Sequence, residues 1–380
     1  MEFSFTEEQL MFREQVIKFA QKEIVPRCAE HDLKEEFDFQ SFRKLGEFGI
    51  LGLHLPEHLG GSNADIVTTV LAGEALGEAG VDGGLTLSYG AHSFLCADTI
   101  YVHGTKAQQE KYIPKLASGE WIGCMGLTEP GAGSDAAAIS TRAVKNGDHY
   151  VLNGNKMFIT NGPIADVAVI YAKTEKDEKH AGISAFIVEK GTPGFEAGKP
   201  LIKMGVRTSY TSELIFDNCE IPAENLLGKE GDGFLMALQT VEWDRSALVA
   251  PFVGGMNYVM KRSARYAGER HQFGQPIAEF QAIKHKLANM KIFLEASRSL
   301  CYRIAWCKDQ GRDLNHLEAA VAKLFIGDWS LGPANEAMTL HGGYGYCHEY
   351  EVERFFRDSR LAPIGGGSSE VTKKILSRLI

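Results

Sequence analysis

Apolar residues recur at helical spacing over the first third of the chain, from Thr6 to about Leu116. Helical patterns are clearest over Val67–Leu76 and Gln108–Leu116. Thr6 with Gln9 forms a capping box, the pattern that starts a helix. The stripe that follows is predicted to face mostly inward: Leu10, Phe12, Val16, Phe19 and Ala20. We therefore predict a helical N-terminal domain over residues 1–120.

The period changes to two between about Trp121 and Leu227. Alternating β-branched and aromatic residues are typical of strands. Asn-Gly pairs favour tight hairpin turns, so turns are predicted at Asn146-Gly147 and Asn153-Gly154. Residues 121–228 are thus predicted to form a small barrel or sandwich. The predicted strands are HYVLNGNKMFIT, DVAVIYAKT, GISAFIVEK and SELIFDNCEI.

The helical period returns from about Phe234 to the end of the sequence. Long apolar-striped runs over Phe234–Arg265, Phe280–Lys308 and Leu317–Met338 are typical of packed antiparallel helices. We predict a four-helix-bundle domain over residues 229–380. The fold class is then α+β with several domains, a middle β domain lying between two helical ones.

Composition narrows the class of protein further. The 380 residues carry a formal net charge of −9 with no basic block, which argues against nucleic acid or an anionic membrane as the main partner. Seven cysteines without a CxxC pair indicate reduced thiols and neither a disulfide framework nor a metal site. No run approaches the ~20 apolar residues of a membrane span. We expect a soluble cytoplasmic protein.

The sharpest local feature is LTEPGAGSDA, from Leu127 to Ala136. Its two glycines could form a nest of backbone N–H groups beside the hydroxyls of Thr128 and Ser134, which suits a phosphate or a polar ring edge. It could equally be a glycine-rich turn between a helix and a strand. Composition alone leaves both interpretations open.

Five further motifs follow LTEPGAGSD in a fixed order, and together the six resemble the acyl-CoA dehydrogenase family over essentially the whole chain. The resemblance implies an enzyme with non-covalent FAD that dehydrogenates an acyl-CoA. It also implies an electron-transferring flavoprotein as acceptor and a homotetrameric assembly. The five motifs are KMFITNG (156–162), ERHQFGQPIAEFQ (269–281), LHGGYGY (340–346), FFRDSR (355–360) and GGGSSE (365–370).

The resemblance assigns cofactor roles in the middle domain. Leu127 and Thr128 match residues that hold the pyrimidine edge of the flavin, and Ser134 matches a serine near the pyrophosphate and the CoA. Phe158 takes the position of an aromatic residue, usually tryptophan, that packs on the isoalloxazine ring. Thr160 matches a threonine that hydrogen-bonds flavin N5 or O4. From the residues alone, Phe158 could also be ordinary core in a strand.

Other cofactor residues match positions in the C-terminal domain. Arg270, Phe273 and Gln281 resemble contacts that reach the FAD pyrophosphate and adenosine across a dimer interface, although Arg270 alone could also be an interhelical ion pair. Thr339 stands where most members carry glutamine. The remaining matches are a close backbone approach and two C-terminal contacts: Gly342, Gly343, Ser368 and Glu370.

The catalytic base departs from the commonest pattern of the family. The usual glutamate near the C-terminus aligns with Gly366, which has no side chain. Some members place the glutamate on a helix before an arginine, and Asp244-Arg245 matches that position. Glu242 is the rival, about 200° around the same helix. Asp244 is therefore the expected base, with Ser134, Arg245 and Gly366 as the expected substrate contacts.

Both departures leave room near the substrate α-carbon. Aspartate is shorter than glutamate by about 1.5 Å, and Gly366 adds no side chain. We therefore expect a branched or alicyclic acyl group, for example cyclohexanecarboxyl-CoA. Three other functions stay open: an enoyl-CoA reductase, a flavin oxidase of non-CoA substrates, and a flavin-binding assembly factor without catalysis.

Overall fold

A computed structural model describes residues 4–175, 180–243, 247–312 and 316–378. Helices come first, a mixed sheet follows, and helices return. This order is the predicted α+β architecture, whereas the domain boundaries near 120 and 228 stay predictions. None of the helices in the described part of the chain combines the length and apolar character that crossing a bilayer needs.

The N-terminal helices begin at the predicted capping box. The Thr6 side chain accepts a hydrogen bond from the Gln9 backbone, and the Gln9 side chain accepts one from the Thr6 backbone. Val16 and Ala20 are buried as predicted, but Leu10 is 46% exposed, so its place in the inward stripe was wrong. The described helices α1–α7 are Glu7–Glu23, Val25–Lys34, Phe39–Glu47, Ile66–Ala79, Gly83–Gly90, Asp98–His103 and Lys106–Ala117, with a π-helical turn at Ala91–Ala97.

The middle part is one eight-stranded sheet in the order β6-β7-β3-β2-β4-β5-β8, with β1 pairing in parallel with β4. Both faces of β4 and β5 are buried, whereas β2 and β7 also carry exposed residues. Ile170 packs with Tyr150 and Phe186 in a core that belongs to the sheet alone. Val169, on the opposite face of β4, packs against helical residues such as Leu116. The described strands β1–β8 are Gly123–Gly126, Arg142–Asn146, His149–Thr160, Val167–Lys173, Ile183–Glu189, Phe195–Ala197, Thr211–Pro222 and Leu226–Leu227.

One of the two predicted Asn-Gly turns is correct. Asn146 pairs with His149 at the β2–β3 hairpin, so Gly147 lies in the turn. Asn153-Gly154 instead lies inside β3, where the register with β7 shifts between Leu152 and Gly154. Gly154 has φ +143°, and a Cβ there would lie 2.7 Å from the backbone Cα of Thr141. A β-bulge with a close backbone approach, and not a turn, explains this glycine.

Two of the predicted C-terminal runs are each two helices. The run Leu317–Met338 breaks at Ser330, because Pro333 has no N–H to continue the helical ladder. Within Phe234–Arg265, α9 starts anew at Ala250 with Pro251 in its first turn, where a missing N–H costs no helical bond. The described helices α8–α14 are Gly233–Trp243, Ala250–Glu269, Gln281–Asp309, His316–Trp329, Leu331–His341, Val352–Ser359 and Ser369–Ser377.

Helix α4 packs directly on α9, joining the N-terminal and C-terminal helices. A Cβ at Gly77 would overlap the carbonyl oxygen of Pro251, and one at Gly254 would overlap that of Glu74. Glycine therefore allows the two backbones to approach closely. A continuous apolar core runs from Val16 through Leu76 to Met256.

Candidate active site

The first two motifs meet at the edge of the sheet. Strand β1 ends at Gly126, and Leu127 and Thr128 follow it directly. The backbone N–H of Met157, in β3, donates to the carbonyl oxygen of Thr128 at 2.8 Å. This hydrogen bond joins residues that are 29 positions apart in the sequence. It brings together two motifs that the resemblance assigns to one flavin site.

Phe158 has an unusual backbone and an exposed ring. Its φ is +61°, and the register between β3 and β7 shifts between Lys156 and Ile159. The left-handed region is disfavoured for a bulky L-residue, so such strain points to a functional constraint. Phe158 is 64% exposed, which rules out the alternative that it is ordinary strand core. Thr160 lies two residues further on, paired with Thr211 at the end of β3.

The LTEPGAGSD loop is a tight turn that opens toward free space. Glu129 and Ala132 exchange backbone hydrogen bonds of 3.0 and 3.1 Å. A Cβ placed on Gly131 or Gly133 would meet no protein atom within 4 Å, and Ser134 is exposed. The loop is therefore a turn, but it lies between strands β1 and β2 and not between a helix and a strand. It also leaves its backbone exposed to a ligand, as the other interpretation required.

A second group of motif residues comes together on the helices. Arg270 ends α9, a two-strand hairpin follows, and Gln281 begins α10. The guanidinium of Arg270 lies 5.8 Å from the ring centroid of Tyr344, which follows Gly342 and Gly343 in the chain. The structure thus brings the 269–281 and 340–346 motifs together.

The surface of this second group is open. Phe273, at the tip of the hairpin, is 93% exposed with φ +54°, and Gln281 is exposed. A Cβ on Gly342 or Gly343 would meet no protein atom within 4 Å. Thr339 turns its hydroxyl back to the carbonyl oxygen of Asn335 at 2.9 Å, so this hydroxyl is already engaged within its own helix.

The C-terminal glycine loop is held from behind by α11. The buried Lys323 donates from Nζ to the carbonyl oxygen of Gly367, and Ser369 donates to Asp328. Gly366 and Gly367 both have positive φ, at 63° and 93°. Ser368 caps α14, and Glu370 lies exposed in the first turn of that helix.

Asp244 and Arg245 lie outside the described residues, and Glu242 lies near the end of α8. The chain on either side of Asp244 is anchored. Thr240 Oγ1 lies 2.9 Å from Thr99 Oγ1, and a Cβ at Gly90 would overlap the side chain of Leu248. Thr240 and Leu248 thus each contact the helices from Gly83 to His103.

Helix α5 also contacts Asn161, which directly follows strand β3. The side-chain amide of Asn161, next to Thr160, donates to the carbonyl oxygen of Ser88 at 2.9 Å and to that of Gly123 at 3.2 Å. Asn161 has φ +66° and is fully buried, which suits the asparagine preference for left-handed backbone. The end of α5 therefore touches both the 160–161 corner and the segment after residue 246.

Sequence reasoning missed an ion pair between the first two motifs. Lys156 Nζ lies 2.7 Å from Glu129 Oε1, with the two side chains 0% and 3% exposed. Burial would raise the pKa of Glu129, but Lys156 and hydrogen bonds from Thr141 and Ser140 outweigh it and hold that pKa well below its usual range. Burial lowers the pKa of Lys156, with Glu129 opposing it. Glu129 lies in the LTEPGAGSD motif and Lys156 in the KMFITNG motif. Their presence in two motifs of one site was the signal in the sequence for such a pair.

The residues present fit a flavin nucleotide. Phe158 offers an exposed aromatic ring on a strained strand, and the LTEPGAGSD loop has exposed backbone at Gly131 and Gly133 with open space around it. A planar ring stacks on an aromatic face, and a phosphate or carbonyl edge takes backbone donors. Leu127, Thr128, Ser134, Phe158 and Thr160 would hold the ring and pyrophosphate of FAD.

Comparison with known proteins establishes the family. Three family models cover the chain: acyl-CoA dehydrogenase N-terminal domain at residues 6–120, middle domain at 124–219 and C-terminal domain at 231–380. The chain belongs to the acyl-CoA dehydrogenase family, and it is therefore an oxidoreductase with FAD as its cofactor. The expected family and fold class are confirmed.

Relatives with full-length matches carry several names. The short-chain-specific acyl-CoA dehydrogenase of Clostridium acetobutylicum is 41% identical over 99% of both chains. The mitochondrial isovaleryl-CoA dehydrogenase of Oryza sativa subsp. japonica is 41% identical over 98% of this chain and 91% of its own. The acryloyl-CoA reductase (NADH) of Anaerotignum propionicum is 40% identical over 100% of this chain and 95% of its own.

Solved structures match the whole fold. Butyryl-CoA dehydrogenase from Megasphaera elsdenii superposes with a TM-score of 0.96 at 39% identity, over 100% of this chain and 99% of that one. A chain of a structure described as the electron transferring flavoprotein of Acidaminococcus fermentans gives 0.97 at 42% identity, over 100% and 99%. The FAD complex of PigA gives 0.96 at 32% identity, over 100% and 99%.

Proposed function

We propose that this protein is an FAD-dependent acyl-CoA dehydrogenase whose substrate is branched or alicyclic at the α-carbon, with Asp244 as the base. The observation that carries this proposal is the double contact of α5. Ser88 accepts a hydrogen bond from Asn161 beside Thr160, and Gly90 packs against Leu248, four residues after Asp244.

The two contacts support a site near the end of α5. Thr160, the proposed contact to the flavin N5 region, precedes Asn161, and Leu248 follows the proposed base by four residues. Because Asn161 and Leu248 both contact α5, the base and the cofactor are proposed to meet near Gly90.

Dehydrogenation needs two hydrogens removed from adjacent carbons. In the proposed reaction the carboxylate of Asp244 accepts the α-proton, and the electron pair of that C–H bond forms the new C=C bond. FAD, when bound, supplies the acceptor for the hydride that leaves Cβ. Ser134 and Arg245 are proposed to contact the substrate, and the exposed position of Ser134 suits a contact to the CoA.

The preference for a bulky α-carbon rests on the C-terminal glycine loop. Gly366 replaces the glutamate of most family members, and Gly367 beside it has open space at its Cβ position. Lys323 and Asp328 hold this loop from the side of α11, which supports a fixed backbone beside Gly366. A shorter carboxylate at Asp244 and an absent side chain at Gly366 both favour a substrate with a wider α-carbon, such as cyclohexanecarboxyl-CoA.

Electron-transferring flavoprotein is the proposed acceptor, and a homotetramer is the proposed assembly. The first is supported by the likeness to a chain from the Acidaminococcus electron transferring flavoprotein structure. The second is supported by Phe273, a large aromatic side chain that is 93% exposed beside Arg270. In the proposed assembly Arg270, Phe273 and Gln281 complete the FAD site of a neighbouring subunit.

The reverse reaction is the second candidate. An acryloyl-CoA reductase is 40% identical over the whole chain, and the same base and cofactor positions would serve a reductase. Steady-state turnover separates the two functions. A dehydrogenase passes electrons from a saturated thioester to an added electron acceptor, whereas a reductase consumes NADH when an enoyl-CoA is supplied.

The base is tested by rapid-mixing flavin reduction with cyclohexanecarboxyl-CoA and butyryl-CoA. Asp244→Asn should keep FAD but slow reduction by ~10²–10⁴-fold, since that is the usual contribution of a general base. Glu242→Gln is the matched control and should stay near wild type. Loss of reduction in Glu242→Gln, with Asp244→Asn unaffected, would transfer the base to Glu242.

Substrate width is tested separately with Asp244→Glu. This change extends the carboxylate by about 1.5 Å into the site. It should impair reduction by the cyclic thioester and spare or improve reduction by the linear one. Equal effects on both thioesters would remove the argument for an alicyclic substrate.

A further inference from the structure

Lys156 and Glu129 form a buried ion pair, and both side chains also hydrogen-bond to the loop around them. Lysine is almost never fully buried unless paired, and burying a charged pair gives little net stabilisation. Lys156 Nζ donates to Glu129 Oε1 at 2.7 Å and to the carbonyl oxygen of Leu127 at 3.3 Å. It therefore contacts the proposed flavin-binding backbone directly.

The carboxylate of Glu129 holds both ends of the adjoining loop. One oxygen accepts from the backbone N–H and the hydroxyl of Ser140, at 2.6 and 2.7 Å, and the other accepts from the backbone N–H of Thr141 at 2.9 Å. Glu129 itself begins the loop. The Glu129 side chain thus joins the two ends of the 129–141 loop. Its ion pair with Lys156 joins this loop to β3.

Ala132 and Ile139 are buried in the core that includes Leu116, but other residues of the loop have open surroundings. Gly131 and Gly133 have no protein atom within 4 Å of a Cβ position, and Ser134 is exposed. Burial of Ala132 fixes one side of the 129–132 turn, and the two ends of the loop are fixed by hydrogen bonds at its base. That base is the Glu129 carboxylate and the lysine that neutralises it.

We propose that the Lys156–Glu129 ion pair is a positioning element for FAD, which holds the 127–134 backbone in its binding conformation. This proposal rests on the FAD site of the proposed function. Neither side chain touches the cofactor in this proposal, because both are buried beneath the loop. Loss of the pair should lower FAD affinity by an amount that global stability does not explain.

Charge-assisted hydrogen bonds of this kind are strong enough for a measurable effect. In Lys156→Met the buried carboxylate loses its counter-charge, and FAD affinity of the apoprotein should fall by ~10–100-fold. In the double variant Lys156→Met/Glu129→Gln no unpaired charge remains, so thermal stability should return toward wild type. FAD affinity should not return, because a glutamine side chain has one acceptor oxygen and one donor nitrogen. The nitrogen would face the N–H of either Ser140 or Thr141, which also donates, so one of these hydrogen bonds is lost.

The experiment measures two quantities for each apoprotein: the melting temperature and the Kd for FAD by fluorescence quenching. Lys111→Met is the control for the substitution itself, in an ion pair that is partly exposed. It removes a lysine that lies 2.6 Å from Glu189, outside both motifs, by the same substitution. Ser140→Ala is a milder variant with an exposed side chain, and it should weaken FAD binding by a few-fold without a loss of folding.

The outcomes are distinct. The proposal holds if FAD affinity falls in the Lys156 variants and Ser140→Ala, but not in Lys111→Met. A merely structural role predicts that affinity follows melting temperature and that the double variant restores both, which would overturn the proposal. If Lys156→Met does not fold, the double variant and Ser140→Ala decide. A wild-type protein that takes up no FAD would overturn the proposed function instead.

Discussion

The imidazole Nδ1 of His92 accepts a hydrogen bond from the backbone N–H of Gly123 at 3.0 Å, at the start of the strand that leads into Leu127. The other ring nitrogen lies 2.9 Å from the carbonyl oxygen of Leu116 and donates to it. His92 is fully buried, and burial lowers its pKa to about 4. A neutral histidine therefore ties the N-terminal helices to the first strand of the sheet.

This geometry predicts a loss of stability in acid. The pKa of His92 is about 4 when folded and about 6.5 when unfolded, so between these values the unfolded chain binds the extra proton. Stability due to neutral His92 is present above pH 6.5 and is lost as the pH falls through 4. The difference between the two pKa values corresponds to a free energy on the order of 3 kcal/mol.

Urea unfolding of the apoprotein at pH 7 and pH 4.5 tests the His92 prediction. His92→Gln keeps a donor and an acceptor but does not titrate, so the stability difference between wild type and variant should shrink at pH 4.5. A difference that is the same at both pH values would mean that His92 does not titrate on unfolding. Other groups titrate equally in both proteins and cancel in this comparison.

At Phe158 we expect substitution by glycine to be less destabilising than substitution by alanine. At a φ of +61° alanine keeps the left-handed strain, whereas glycine has none. We expect the Phe158→Gly apoprotein to be more stable than Phe158→Ala by about 1 kcal/mol, although glycine is usually the less stable choice in a strand. Both variants should bind FAD more weakly than wild type. Thermal unfolding and FAD titration measure the two effects, and a more stable alanine variant would contradict the strain.

Sequence patterns predicted what depends on local periodicity. The Thr6–Gln9 capping box and the Asn146-Gly147 hairpin are determined by residues within a few positions, and both are observed. The break at Ser330 was missed, although Pro333 was a visible signal. The family motifs predicted which segments would meet, and Met157 with Thr128 shows one such contact.

What the sequence could not show were contacts between distant residues. Lys156 and Glu129 are 27 positions apart, and no periodicity relates a strand lysine to a loop glutamate. The left-handed backbone of Phe158 follows from a bulge whose register is set by β7, far along the chain. The same holds for Gly154, which is a bulge glycine because Thr141 lies against it.

Gly154 gives a test of that bulge. A Cβ there would lie 2.7 Å from the Cα of Thr141, and φ +143° disfavours any side chain. Gly154→Ala should therefore lower the free energy of unfolding by about 2–3 kcal/mol, as overpacking and backbone strain combine. Gly147→Ala, with φ +65° and open space at its Cβ position, is the control and should cost about 1–2 kcal/mol. Equal losses in urea unfolding would contradict the close approach.

The assembly prediction concerns Phe273, the exposed tip of the α9–α10 hairpin. If this side chain completes the FAD site of a neighbouring subunit, assembly and FAD binding are linked, so dilution should release FAD as subunits separate. Phe273→Asp places a charge where an apolar contact is proposed. The fold should be unaffected because Phe273 is 93% exposed, and aspartate tolerates its φ of +54°.

Light scattering and FAD titration over a range of protein concentrations measure this linkage. Wild type should be tetrameric, with an FAD affinity that falls on dilution, and Phe273→Asp should shift both transitions to higher protein concentration. Ile202→Asp is the control, because Ile202 is 89% exposed and lies outside the hairpin. A monomeric wild type that retains FAD would show that one chain suffices for the site. The roles of Arg270, Phe273 and Gln281 would then have to be sought within their own subunit.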